Sequence, residues 1–384
     1  MKSSLFILSI VCFFSCSSLI QKKPVISMQW KIAGQIPANN GQTRAIGVAG
    51  PIAGVHNNLM IVAGGSNFPD DMPWQGGKKA YYDELFSFHK IGDSLIYTGL
   101  EQKLPYRVAY SANCSTPQGI VCAGGENESG ILNKVLFIQC KEGTGKVIIK
   151  YLPDLPVGLT NASITNFGNI IYLVGGESFQ TVSNNVYSLD LGHIKKGWNQ
   201  LASMPMATSH AVVTVQSNGN HECLYVMGGR KKNIQGVSDL YSNVFEFDIQ
   251  RNQWNEKQSL PYPLSAGTGI SVGNQEILLF GGDRGETFHQ AELIIDSINH
   301  TQDSGLKTTL IQKKADVQSS HPGFDKTVLV YNTHQNKWSA ISTIPFDCPV
   351  TTTAIKWQDK VYIPGGEVRA GVRTPEILEG TVVR

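Results

Sequence analysis

Short apolar runs recur along the chain, and each ends in a pair of glycines. They read LMIVA before Gly64-Gly65, GIVCA before Gly124-Gly125, IIYLV before Gly175-Gly176, CLYVM before Gly228-Gly229, EILLF before Gly281-Gly282 and KVYIP before Gly365-Gly366. Each run is short and rich in β-branched or aromatic residues, which predicts a buried strand. A further strand follows the glycines, as in NVYSLD (185–190), NVFEFD (243–248) and TVLVYN (327–332). Then comes an aromatic residue (Trp30, Tyr97, Tyr151, Trp198, Trp254, Trp338) shortly before an apolar-Pro step at Pro37, Pro105, Pro156, Pro205, Pro261 and Pro345. From that proline to the next glycine pair is 19 to 27 residues.

The repeating unit is therefore four antiparallel strands at a period near 50, with proline at the turn between units. These marks resemble kelch repeats, whose paired glycines are followed by spaced Tyr and Trp. The resemblance covers residues 30–383 and implies an all-β, six-bladed kelch-type β-propeller over 26–384. The strand at Trp30 has no blade of its own before it, and a lone strand (376–383) follows the last glycine pair. The N-terminal strand is therefore predicted to complete the last blade and close the ring, which removes exposed sheet edges.

Composition agrees with this reading. The 384 residues include 39 glycines, and only 16% are charged, against about 25% in average soluble domains. Tight turns and paired strands, not charged surface helices, fit that balance. The net charge is +2 with no basic block, which argues against a nucleic-acid partner.

Two insertions break the period, 66–82 and 283–326, each after a glycine pair. Both are predicted to rise on one face, and long insertions on one face of a repeat ring mark its binding face. Within the second, AELIIDSI reads as a short helix followed by a polar stretch.

At the N-terminus, an apolar run from Leu5 to Phe14 follows Lys2. It is too short to span a bilayer but has the length of a signal-peptide core. Residues 1–18 are read as a signal peptide resembling a bacterial lipoprotein signal, with Cys16 as the lipid-bearing residue. The alternative is ordinary cleavage near Ser18. Either implies export, to the periplasm or to an outer-membrane-attached lipoprotein, with membrane attachment only through the lipid. The five remaining cysteines form neither a zinc framework nor a dense disulfide scaffold, and Cys122 reads as a core residue.

Ligands of such rings sit where loops converge over the central channel. Glu126, Glu177, Asp283 and Glu367 each follow a glycine pair directly, and Arg230 takes that place in the fourth unit. The starts of innermost strands add Arg107, Asn161, His210 and Thr352, and a longer loop adds Arg44. An acid in four of six units is first of all a repeat feature, suited to accepting bonds from loop amides. The histidines show no zinc-binding spacing, and neither a nucleophile elbow nor a phosphate loop is present.

The last unit singles out one pair. GGEVRAGVRTPEI (365–377) resembles the glycine-pair, Glu, Gly-x-Arg-Thr segment of the N-acetylneuraminate epimerase (sialic acid mutarotase) family, and GVAGPIAGVHNNLMIVAGG (47–65) resembles that family's Gly-Val-Ala-Gly strand and following glycine pair. The segments stand in the opposite order here, as in a circular permutation of the same ring. The resemblance implies anomer exchange of sialic acid or a related sugar acid, with no cofactor and no metal. Glu367 would be the proton acceptor, and Arg373 would bind the substrate carboxylate or orient the ring. Arg107 and Arg44 are secondary candidates for the substrate carboxylate, and Asn67 and Phe68 for the pocket wall. Two alternatives remain at this point: a non-catalytic kelch propeller binding glycan or protein, and a copper radical oxidase, whose Tyr/His/Cys constellation cannot be assembled here.

Overall fold

The computed structural model describes residues 27–234 and 236–383. The predicted signal segment and Cys16 lie outside the described residues. Six antiparallel sheets, each with a four-stranded path, form the blades of a ring. Their innermost strands are Ile52–His56, Ala112–Thr116, Ser163–Phe167, Val212–Ser217, Thr268–Val272 and Ile355–Trp357, for blades 1 to 6 in order. The apolar runs before the glycine pairs are the second strands, and Leu59–Ala63 and Gly119–Ala123 are buried at every residue.

Ring closure is as the sequence predicts. Strand Ser27–Gln35 pairs antiparallel with Glu376–Val383 and supplies the fourth strand of blade 6. Its Trp30 packs edge-on against Phe280 of blade 5, with centroids 5.5 Å apart. The other three outer-strand tryptophans reach back one blade in the same way. Trp198, Trp254 and Trp338 donate their indole N–H to the carbonyls of Pro153, Ala202 and Gln258.

The glycine pairs stitch blade to blade. All twelve glycines have positive φ, a region that disfavours side chains. In five blades the second glycine donates its N–H to a carbonyl of the next blade, as in Gly125 to Leu159 and Gly366 to Val48. The first glycine lies so close to that strand that a Cβ on Gly124 or Gly175 would collide with the Leu159 or Thr208 carbonyl.

A second ring lies inside the first. Gly50, Tyr110, Asn161, His210, Ala266 and Thr351 hold one equivalent position per blade, and all have φ between +51° and +63°. The N–H of each donates to the carbonyl of its counterpart in the neighbouring blade at 2.7–3.0 Å, and Gly50 to Thr351 closes the circle. The channel inside the innermost strands encloses about 400 Å³.

Both insertions carry their own structure. The first holds a two-strand ladder, Ser66–Asn67 with Ala80–Tyr81, and a 3₁₀ turn at Pro73–Gln75. The second differs from its prediction. The helix is longer than expected, α1 (Glu286–His300), and the polar stretch forms a second helix, α2 (Ser304–Ser319). The Asp303 carboxylate caps α2 by accepting the N–H groups of Gly305 and Leu306, the usual device at a helix start. No residue of α2 is buried, so apolar periodicity gave no sign of it. The 3₁₀ turn touches α2, so the two insertions meet over one face.

Cys114, Cys122, Cys140, Cys223 and Cys348 are all free thiols, and Cys122 lies in the core as expected.

Candidate active site

The residue after each glycine pair bridges to the residue before the left-handed position of its own blade. Ser66, Glu126, Glu177, Arg230, Asp283 and Glu367 therefore stand as a ring around the channel mouth. The sequence placed the last five of these together, and the fold does bring them to one rim.

Glu367 and Arg373 lie directly opposite each other in a short hairpin. Arg373 Nη1 is 3.2 Å from Glu367 Oε1, and the arginine side chain is 5% exposed. The hairpin tip holds the carboxylate in place, since the Gly371 N–H donates to Glu367 Oε1 at 2.8 Å. Arg373 is less fully satisfied: its Nε and Nη1 are buried without a hydrogen-bond partner. Such unmet donors are costly inside a protein and are ready for a ligand's carboxylate. The first insertion covers this hairpin. The Phe68 ring lies 5.1 Å from the Arg373 guanidinium carbon, and Gly371 abuts Met72, Pro73 and Trp74.

Blades 3 and 4, across the ring from blade 6, repeat the theme. Arg230 donates to His210 Nε2 at 3.4 Å. His210 Nδ1 lies 3.4 Å from Glu177 Oε1, to which Ser209 Oγ donates at 2.7 Å. Burial raises the Glu177 carboxyl, but His210, Arg230 and Ser209 outweigh it and bring its pKa down to about 2. Burial, then the Arg230 charge, holds His210 below its usual value, so it is neutral beside a charged pair. Arg230 Nε is also buried and unpartnered, and the Phe288 ring lies 4.8 Å from its guanidinium carbon. Helix α1 brings Phe288 there. Glu292 accepts both the N–H and the hydroxyl of Ser238, and His289 Nε2 meets the Ser238 carbonyl. Each rim arginine is thus held beside a glutamate, keeps unmet donors and sits beside a phenylalanine from an insertion.

Glu126 of blade 2 accepts the Tyr81 hydroxyl at 2.8 Å and pairs with Lys79 at 3.2 Å. Burial first, then Glu126, pushes the Tyr81 phenol up. Asp283 of blade 5 accepts the Gly285 N–H, and burial raises its carboxyl above the ordinary value. It shares a cavity of about 290 Å³ with His321.

The other predicted residues are placed elsewhere. The Arg107 side chain is 60% exposed and paired with Glu128 at 3.1 Å, outside the Glu367–Arg373 pair. Arg44 is exposed, on a loop whose Gln42 amide reaches Asn67 and Tyr82. Asn67 is 1% exposed. Its amide donates to the Gly47 carbonyl and its oxygen accepts from Tyr82, so it braces the loop beneath Phe68. Among the described residues, no group of three or more His, Cys, Asp or Glu could hold a metal ion. Sequence reasoning singled out neither Phe288 nor His321. They lie in the second insertion, outside the repeat, and only their place beside the rim distinguishes them.

Comparison with known proteins gives the family. Residues 152–384 match the model of the N-acetylneuraminate epimerase family. That span holds blades 3 to 6, including Glu177, Arg230, the second insertion, Glu367 and Arg373. An N-acetylneuraminate epimerase of Salmonella typhimurium is 26% identical over 228 residues, which is 59% of this chain and 57% of that protein. One of Haemophilus influenzae is 26% identical over 232 residues, 59% of this chain and 58% of that protein. The match thus spans little more than half the length of these curated relatives.

Proposed function

The chain belongs to the N-acetylneuraminate epimerase family, and we propose that it exchanges the α and β anomers of N-acetylneuraminic acid or a related sugar acid. The observation that carries this reading is the Glu367–Arg373 hairpin, where a braced carboxylate adjoins a buried arginine with unmet donors. Anomer exchange of a cyclic 2-keto acid needs one proton moved between two oxygens on the same carbon. Glu367 takes the proton of the anomeric hydroxyl as the bond to the ring oxygen breaks, and returns it to that ring oxygen. The open carbonyl turns its other face, and the same steps in reverse close the ring. No electron or proton is gained or lost. Arg373 holds the substrate carboxylate through two parallel N–H donors, a geometry that lysine cannot supply. Export to the periplasm, with Cys16 carrying a lipid, belongs to the same proposal.

The test releases the α anomer with a sialidase and follows its approach to equilibrium by NMR. The native chain should accelerate the exchange. Glu367→Ala should slow it by a factor of about 10²–10⁴, the usual worth of a general base. Arg373→Lys should raise KM. No acceleration by the native chain overturns the reading, and an unimpaired Glu367→Ala overturns the site.

A further inference from the structure

We propose that His321 is the hydrogen-bond donor that stabilises the oxygen left charged while Glu367 carries the proton. This inference rests on the mutarotase reading and deepens it. Between loss of the anomeric proton and its delivery to the ring oxygen, the substrate bears an extra negative charge. An oriented N–H aimed at that oxygen lowers the barrier without itself giving up a proton.

The structure gives His321 the form such a donor needs. The Gly323 N–H donates to its Nδ1 at 3.0 Å. Nδ1 is therefore an acceptor, and the hydrogen of the neutral ring sits on Nε2. Among the described residues, Nε2 has no hydrogen-bond partner. His321 is 8% exposed, its ring rests against Phe324 with centroids 4.7 Å apart, and the residue lines the cavity that contains Asp283. Its turn is seated beside the catalytic hairpin, since a Cβ on Gly323 would be 3.6 Å from the Val368 carbonyl, one residue past Glu367.

The charged groups around the ring are Asp283 of blade 5 and Glu367 and Arg369 of blade 6. Burial lowers the His321 pKa, and these charges do not reverse that. Neutrality matters, because an imidazolium would be drawn to the Asp283 and Glu367 carboxylates and would no longer be free to meet the substrate oxygen. A neutral imidazole used as an electrophile is a known solution to that conflict in other enzymes. The turn is also held firmly. Four residues on, Asp325 grips Arg284 at 2.6 and 2.7 Å, and Arg284 stacks 3.7 Å over Tyr262. These contacts tie both ends of the insertion to blade 5 and fix where His321 is delivered.

The test has a spectroscopic arm and a kinetic arm. In the full native chain with ¹⁵N-labelled histidine, His321 should show the Nε2–H tautomer, and its Nε2 resonance should shift when N-acetylneuraminate is added to saturation. His321→Ala should lower kcat about 10²-fold or more, the usual cost of losing such a donor, with KM within threefold and an unchanged melting temperature. His321→Gln, which offers an amide N–H, should recover at least tenfold over alanine. An unmoved Nε2 resonance, or a kcat within threefold of native in His321→Ala, overturns the assignment of His321 alone. A native chain whose His321 responds to the sugar acid but which leaves anomer exchange unaccelerated overturns the mutarotase reading, and with it the catalytic role of His321.

Discussion

The rim shows how one residue position diverges across a repeat. The carboxylates of Glu367 and Asp283 accept loop amides, whereas Glu126 and Glu177 are engaged by side chains. Glu177 is the most tightly held, and its titration gives a signed prediction. Its folded pKa, about 2, lies below the ordinary 4.5. The stability it contributes is therefore complete above about pH 4.5 and is lost as the pH falls from there through 2. The shift is worth about 3 kcal/mol. His210 works in the same direction at higher pH. Its folded pKa lies below 6.5, so the unfolded chain binds the proton first and stability falls as the pH drops through 6.5. Glu177→Gln should therefore unfold at lower urea than the native chain at pH 7, and the gap should shrink to roughly half or less by pH 3. Urea midpoints at the two pH values measure it, and a gap of equal size at both would show that Glu177 carries no such charge-dependent stability.

At the scale of elements, the inner ring depends on how much room each left-handed position leaves. Gly50 has φ +63° and a Cβ there would lie 2.5 Å from Tyr110 N and Cδ1. Gly41 has φ +83° with nothing within 4 Å. Gly41→Ala should cost about 1 kcal/mol, from backbone strain alone. Gly50→Ala should cost about 3 kcal/mol, because overpacking adds to that strain. Chemical denaturation separates the two, and equal costs would mean that the inner ring yields freely. Much of this architecture was legible in the sequence because it repeats. Glycine pairs, apolar runs and tryptophans recur in step, and each recurrence reports the same packing demand. Glu367 and Arg373 were legible because one unit departs from its siblings. Helix α2 was not, because it buries nothing and so carries no apolar stripe. Phe288 and His321 were not legible either, because each is a single side chain placed by a tertiary docking, of α1 on Ser238 and of the 321–324 turn beside Val368.

For the whole molecule, closure makes the position of the chain ends a matter of connectivity and not of packing. Ser27 lies opposite Val383 in an antiparallel pair, so the two Cα atoms are about 5 Å apart. That is the spacing a two-residue Asn-Gly hairpin turn joins. Every blade would keep its four strands if 383 were linked to 27 in this way and the chain opened in the exposed turn between Glu142 and Gly143. The rim would be untouched, since Glu177, Arg230, Asp283, His321 and Glu367 all keep their neighbours. Such a permutant should melt within a few degrees of the native chain and retain its rate of anomer exchange. Deleting 27–35 tests the converse. It strips the outer partner from strand Glu376–Val383, which follows the Glu367–Arg373 hairpin directly and still pairs with Lys360–Pro364, and removes the Trp30 contact with Phe280. The open edge would invite aggregation, and the deletion should melt far below both other proteins. Comparable melting of the deletion and the native chain would mean that blade 6 stands on three strands, and that the closing strand is dispensable to the ring.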